Sequence, residues 1–424
     1  MKIFGELFLS DFTGFLLNLS FYYPLFMAYV WMVGAINFYY RFERATARLI
    51  LPAEAYDPPP VSVIVPMFNE GDHGRTTIEH AMQINYPDFE VIAVNDGSDD
   101  GTGAMLDDLA QVYERLRVVH LAQNQGKAVA LEMATLVARH EYLVCIDGDA
   151  ILGRNSVRWM MRHFVSPRVG AVTGNPRIRN RSTLLGKIQV GEFSAIIGLI
   201  KRAQRTYGRM FTVSGVISAF RKTALHDIGY WSRDMLTEDI DVTWKLQIRH
   251  WDVRYEPHAL VWILMPETFA GLWSQRLRWA MGGMQVALKY ARDLNQWRTR
   301  RMWGILIEYA LSISWAYSIL IVTTLWTIGL FIPLPPYIQV ASPVPGWAGV
   351  VIGTTCLMQI GVSLILDRRY DHRLGRVFFW MIWYPLAFWL LSALTTVVAV
   401  PKTLYRKRDA RARWVSPDRG LKQS

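Results

Sequence analysis

Tyr142-Leu143-Val144-Cys145-Ile146-Asp147-Gly148-Asp149 is the stretch whose reading decides the fold. An apolar run without charge ends abruptly in two carboxylates around a glycine. That is the pattern of a buried strand delivering acids at its carboxyl end. The same pattern opens the middle of the chain. Residues 61–66 run apolar into Phe68-Asn69-Glu70, and 89–94 run into Asn95-Asp96-Gly97-Ser98-Asp99-Asp100. Residues 117–121 form a further strand-like run, and helix-like stretches at 76–83, 102–113 and 127–139 separate the four. Alternating strands and helices predict an α/β domain with a mostly parallel sheet covered on both faces. Ligands of such sheets bind beyond the carboxyl ends of the strands, where all three acidic clusters fall.

The residue types at those ends set the chemistry. Asp147 and Asp149 can share one divalent cation and a ribose, and the cation would neutralise a diphosphate leaving group. A lone Asp-x-Asp also occurs by chance in exposed loops; its place after a strand gives it weight. Asp96 suits a base N–H, or else it caps the next helix, a task for which Ser98 or Asp99 is better placed. Lys127 follows Asn124-Gln125-Gly126 at a helix start, where an anion is favoured, although an exposed surface lysine fits as well. Thr237-Glu238-Asp239-Ile240-Asp241 offers a general base, worth about 10²–10⁴-fold in rate. It also reads as a helix start with Thr237 as cap and acids in the first turn. The two readings are compatible. Gln275-Arg276-Leu277-Arg278-Trp279 brings Gln275, Arg278 and Trp279 near one helix face, suited to a diphosphate and a sugar; alone it would be an amphipathic surface.

Composition frames this site with membrane segments. The chain has 424 residues, 52% of them hydrophobic, and the apolar ones gather at the two ends. We divide it into residues 1–57, an N-terminal transmembrane helix and linker; 58–300, the catalytic domain; 301–401, C-terminal transmembrane helices; and 402–424, a basic tail. Residues 12–40 carry no charge and end at Arg41, Arg44 and Arg48, so the basic end and the domain after it are expected in the cytoplasm. Pro58-Pro59-Pro60 stiffens the linker that begins at Pro52. Residues 184–205, 273–289 and 298–303 mix apolar and charged types, as amphipathic interfacial helices or ordinary surface helices do. Residues 312–366 have no charge and are broken by Pro333-Leu334-Pro335-Pro336 and by 343–346; a basic loop at 367–376 and the charge-free 377–401 follow. Three crossings after a cytoplasmic domain would leave the basic tail outside, against the positive-inside tendency. One segment must then bend or lie at the interface, unless the tendency fails here.

The net charge of +11 is explained by those flanks, or by attraction to anionic lipid and nucleotide. No basic-aromatic recognition motif points to nucleic acid. Two cysteines in apolar runs and nine histidines without ligand spacing point to neither a disulfide nor a zinc site.

The ordered set of Asp96, Asp147-Gly148-Asp149, Thr237-Glu238-Asp239 and Gln275 to Trp279, enclosed by membrane helices, resembles the membrane-integrated processive glycosyltransferases of family 2. Cellulose, chitin, hyaluronan and poly-N-acetylglucosamine synthases belong there. Val94 to Ser98, His120 to Ala128, Tyr142 to Asp149, Val172 to Arg177, Thr237 to Asp241 and Arg411 to Gly420 are similar to one bacterial branch, which makes a β-1,6-linked poly-N-acetylglucosamine, a biofilm exopolysaccharide. The resemblance implies a cytoplasmic GT-A-type domain in a multi-pass protein of the bacterial inner membrane. It implies polymerisation of N-acetylglucosamine from UDP-N-acetylglucosamine with inversion, and export of the polymer. By the same likeness Asp96 contacts uracil, Asp147 the nucleoside, and Asp149 holds Mg2+ or Mn2+. Glu70 and Lys127 join the nucleotide site. Asp239, beside Glu238, is the base. Gln275, Arg278 and Trp279 bind diphosphate and acceptor, and Ser214-Gly215, after a strand-like 211–213, lie near the acceptor. Expected partners are the donor, the growing polysaccharide and the bilayer; a small membrane subunit acting with cyclic-di-GMP is a further candidate. The alternatives are a non-processive membrane glycosyltransferase, a synthase of another polysaccharide, and a transporter or scaffold with a vestigial site.

Overall fold

The computed structural model describes residues 2–46, 57–343 and 346–406. Most of the linker, part of the second proline-bounded break and the tail from 407, with its 411–420 motif, lie outside the described residues. Helix α1 (Lys2–Phe38) runs into a π-helical turn, Tyr39–Glu43, ahead of the sheet.

Strands β1 (Val61–Met67), β2 (Phe89–Asn95), β3 (Leu116–His120) and β4 (Tyr142–Ile146) are parallel. They are joined by α2 (Gly71–Met82), α3 (Thr102–Val112) and α4 (Lys127–Val137). Every residue of β1 and β2 is buried. Val63 and Val65 enter one core while Ile64, between them, enters the other with Ile92, Leu143 and Cys145. A strand covered on both faces is apolar at nearly every position; the buried exceptions pair with each other, Ser62 of β1 donating to Glu90 Oε1 of β2 at 2.7 Å.

After β4 come β5 (Ile151–Leu152), α5 (Ser156–Met161) and β6 (Val169–Ile178). Then α6 (Leu184–Glu192), a π-helical turn (Phe193–Leu199) and α7 (Ile200–Tyr207) lead to β7 (Ile217–Arg221), α8 (Lys222–Asp227), α9 (Glu238–Ile248) and β8 (Asp252–Ile263). The finished sheet has eight strands in the order β3-β2-β1-β4-β7-β6-β8-β5. β7 lies antiparallel between β4 and β6, and β8 parallel to β6. The expected strand at 211–213 is not one. Its backbone N–H groups are held by side chains instead: Phe211 donates to Gln204 Oε1 and Val213 to Thr243 Oγ1. The expected cap of α3 also moves: Asp100 Oδ1 accepts the Thr102 N–H, while Ser98 Oγ and Asp99 Oδ1 bind Asn69.

Three described helices are long and apolar enough to cross a membrane: Phe12–Glu43, Trp297–Gly329 and Trp347–Asp367. They comprise α1, then α11 (Trp303–Gly329) and α12 (Gly346–Asp367); α10 (Phe269–Leu294) lies between sheet and α11. The last charge-free stretch opens in a 3-10 turn, Phe378–Trp383, and continues as α13 (Tyr384–Tyr405), which packs along α10 and α11.

Residues 184–205 are not a surface helix with a charged outer face. Arg202 is fully buried, donating to both oxygens of Glu43 at the end of the π-helical turn after α1 and to Asp367 at the end of α12. Arg177 from β6 reaches the same Asp367 at 2.9 Å. The loop at 367–376 is thus a lock: Asp371 also pairs with Arg181. Removing one partner of a buried ion pair strands the other charge, at a cost of about 3–5 kcal/mol. Arg202→Met should therefore lower the thermal unfolding midpoint in detergent by that loss of stability, with unfolding followed by light scattering and tryptophan fluorescence.

Candidate active site

The sheet brings β4's end and α9's start face to face. Lys127, the first residue of α4, lies between them: Nζ donates to Asp147 Oδ1 at 2.5 Å and to the Gly215 carbonyl at 3.2 Å, and contacts Glu238 Oε1 at 3.1 Å. Burial pulls its pKa down, but Asp147 and then Glu238 outweigh burial and raise it above the ordinary lysine value. Lys127 is thus no exposed surface lysine; it is the counter-ion of two acids.

Lys127 is placed by the neighbouring loop. Asp96, fully buried, accepts the Gln125 N–H at 2.8 Å and the Gly126 N–H at 2.9 Å. Burial raises its pKa against those two hydrogen bonds. The loops meet closely because Gly97 has φ 68° and a Cβ there would stand 2.4 Å from the Gln123 carbonyl carbon. Only glycine meets both demands. Glu70 borders the Asp147-Gly148-Asp149 turn: a Cβ on Gly148 would lie 3.0 Å from Glu70 Cγ.

The acids of α9 separate into three roles. Asp241 is fully buried and accepts from Tyr290 Oη at 2.8 Å and Lys289 Nζ at 3.1 Å, so it anchors α10. Glu238 faces Lys127; burial opposes its charge, but the ammonium prevails and lowers its pKa. Asp239 receives the Gly215 N–H at 3.3 Å and the Ile240 N–H at 3.0 Å. Burial and then the adjacent Glu238 raise it to about 6. Two neighbouring carboxylates are thereby pushed apart, one held as an anion and one left able to take a proton near neutral pH. Thr237 stands at the N-cap position, but its hydroxyl makes no cap hydrogen bond and is buried without a partner among the described residues.

Helix α10 closes the site. A Cβ on Gly282 would fall 2.1 Å from Thr237 Oγ1, so the helix lies directly on the Thr237-Glu238-Asp239 turn. Arg278 acts electrostatically on Glu238 and Asp239. Gln275 contacts Met265 Sδ at 4.0 Å through its amide nitrogen, and Trp279 packs on the main core. Sequence reasoning missed the fixed element here: Arg276 pairs with buried Glu192 at 2.7 Å and covers the Trp279 ring at 4.3 Å. Ser214 and Gly215 do reach the site, through the Gly215 contacts with Lys127 and Asp239.

The donor set suits a hard divalent cation. Asp147 and Asp149 are carboxylates with no sulfur or imidazole between them. Among the described residues no group of three His, Cys, Asp or Glu side chains gathers to hold an ion alone. One or two carboxylates plus substrate phosphates is the usual arrangement for Mg2+.

Fold and site together define a glycosyltransferase with the GT-A fold. Residues 58–282 match the family described as glycosyltransferase like family 2, and the chain belongs to that family. It is 37% identical over 95% of its length to a poly-β-1,6-N-acetyl-D-glucosamine synthase of Staphylococcus epidermidis, covering 98% of that protein. A synthase of the same name from Staphylococcus aureus is 36% identical, with 96% and 99% covered. Among solved structures, a mannosyltransferase from Pyrobaculum calidifontis in complex with GDP-Man and Mn2+ superposes with a TM-score of 0.64 at 20% identity, over 94% of this chain and 99% of that one. At that identity the likeness is one of fold.

Gly282→Val should drive α10 off the Thr237 turn. A displacement of ~1 Å at a catalytic group costs up to about 100-fold in rate. We expect sugar transfer to fall by that order while the thermal unfolding midpoint of the membrane-extracted protein changes little.

Proposed function

We propose that the chain is a processive, inverting synthase that polymerises N-acetylglucosamine from UDP-N-acetylglucosamine into a β-1,6-linked exopolysaccharide and passes it across the bacterial inner membrane. The observation that carries this reading is Asp239, poised at about 6 beside the Gly215 amide and the Lys127-bridged acids. Donor sugar and linkage follow the two staphylococcal relatives.

In this reading the 6-hydroxyl oxygen of the acceptor sugar attacks the donor's anomeric carbon on the face opposite UDP. Its proton passes to Asp239. The bond from that carbon to the diphosphate oxygen breaks, and the electron pair leaves with UDP, so an α-linked donor gives a β-linked product. Asp96 and Glu70 border the uridine site and Asp147 the ribose. Asp149, with Asp147 beside it, would hold Mg2+ or Mn2+, which supplies positive charge to the leaving diphosphate. Arg278 faces the same developing charge, while Gln275, Trp279 and Ser214 flank the acceptor. Lys127 keeps Glu238 ionised, and Glu238 in turn keeps Asp239 basic.

Export is supported by a cavity of about 230 Å³ between the membrane helices, lined by Tyr23, Trp31, Trp315 and Trp389. Aromatic faces suit sugar rings. Beside the cavity, Glu308 of α11 bonds the cavity-lining Trp31 and also Gln204, and Gln204 accepts the Phe211 N–H, three residues before Ser214. With the three candidate spans as the crossings, this reading puts the catalytic sheet and the basic residues Lys402 and Arg406 together on the cytoplasmic side. α13 then need not cross in full, which reconciles the basic tail with the positive-inside tendency.

Membranes carrying the chain, given labelled UDP-N-acetylglucosamine and Mg2+, should make long polymer cut by a β-1,6-N-acetylglucosaminidase and resistant to chitinase; short or chitinase-sensitive product contradicts the reading. Asp239→Asn should lower incorporation by about 100-fold or more while UDP binding persists. Because the base must be ionised, activity of the unsubstituted protein should rise with pH through about 6.

A further inference from the structure

Lys201 belongs to none of the motifs above. It enters α7 directly after the π-helical turn Phe193–Leu199. Such turns widen a helix by one residue and occur often at functional sites. Its side chain is buried, 5% exposed. Nζ donates to Ser214 Oγ at 2.5 Å and to Thr173 Oγ1 at 3.0 Å. Thr173 Oγ1 also accepts the Ser214 N–H at 2.7 Å. One residue on, the Gly215 N–H donates to Asp239 Oδ2 at 3.3 Å. Ammonium, turn and carboxylate form one line.

The unusual part is the charge. Among the described residues Lys201 makes no salt bridge; its hydrogen-bond partners are hydroxyls. An unpaired buried cation is costly, and burial pulls Lys201 down to about 7 against the opposing influence of Asp239. A neutral amide would satisfy two hydroxyls without that penalty. The other cations of its own helix are already matched. On its own helix Arg202 is neutralised by Glu43 and Asp367, and Arg205 by Asp252 of β8. On α11 Glu308 bonds Trp31 and Gln204. Lys127, Glu238 and Arg278 act on Asp239 as well. Asp239 is the carboxylate whose charge Lys201 feels.

We propose that Lys201 is a positioning residue for the acceptor step, bracing the Ser214-Gly215 turn against Asp239 and supplying a positive charge that favours the ionised base. This rests on Asp239 being the base. The charge acts through space and the brace acts through Ser214; neither touches the donor. Lys201 also joins the reaction to the membrane helices, since its neighbour Ile200 lines the cavity between them.

The test uses the full chain in membranes, with kcat and donor KM measured from about pH 5 to 8 for Lys201→Met and Lys201→Arg. The Met variant should lose about 10- to 100-fold in kcat, as misplaced groups do, with donor KM within about twofold. A cation near a carboxylate favours its ionised form, so losing it should move the acid limb of the kcat profile up by about half a pH unit or more. The Arg variant, permanently charged, should leave that limb in place. A Met variant with an unmoved acid limb, or with full kcat, overturns the proposal. If the Met variant loses UDP binding and so fails to fold, the Arg variant decides: an acid limb displaced upward overturns, and one in place supports. Asp239→Asn separates the two claims. Activity retained there removes the base assignment, whereas an inactive Asn variant beside an unaltered Met variant removes only the role of Lys201.

Discussion

A guanidinium with no exposure to solvent must be neutralised where it stands, and Arg202 is neutralised by carboxylates from opposite ends of the chain. Glu43 ends the first membrane helix and Asp367 ends the third candidate span. Because the desolvated charge tolerates no gap, both helices must finish at the same turn of α7. Arg177 and Tyr370 close the cluster, through Asp367 and Glu43 respectively. The membrane helices are thereby registered against the sheet at a single charged point.

That point lies one residue from Lys201 and so two short steps from Asp239. The order of parts is economical. Strand ends supply Asp147 and Asp149; a helix start supplies Glu238 and Asp239; Lys127 ties the two ends together. Helix α10 seats on the assembled turn through Gly282, and its Arg276 is held by Glu192 of α6. Through α10, which runs on toward α11, the assembled turn is tied to the helices of the bilayer.

The first half of the sheet and the positions of its acids were legible in the sequence for one reason. Strands buried on both faces leave continuous apolar runs, so β1, β2 and β4 and the clusters after them stand out. The second half was less legible because its backbone is satisfied by distant side chains. Residues 211–213 have strand composition, yet Gln204, Thr243 and Thr173 take the N–H groups of Phe211, Val213 and Ser214 that a ladder would use. The charges of 184–205 looked solvent-facing because Glu43 and Asp367 stand 159 and 165 residues from Arg202. Family motifs located Asp239 and Arg278; only the packed structure shows that Lys127 is spent on Asp147 and Glu238, and that Asp241 serves Tyr290.

On the function proposed above, polymer made at Asp239 leaves through the aromatic cavity between the membrane helices. The most direct test places a photo-crosslinking amino acid at position 315, on the cavity wall, and irradiates membranes during synthesis with labelled donor. Sugar label should become covalently attached to the protein, dependent on donor and on an intact Asp239. Polymer formed at the normal rate with no label at position 315 would contradict it.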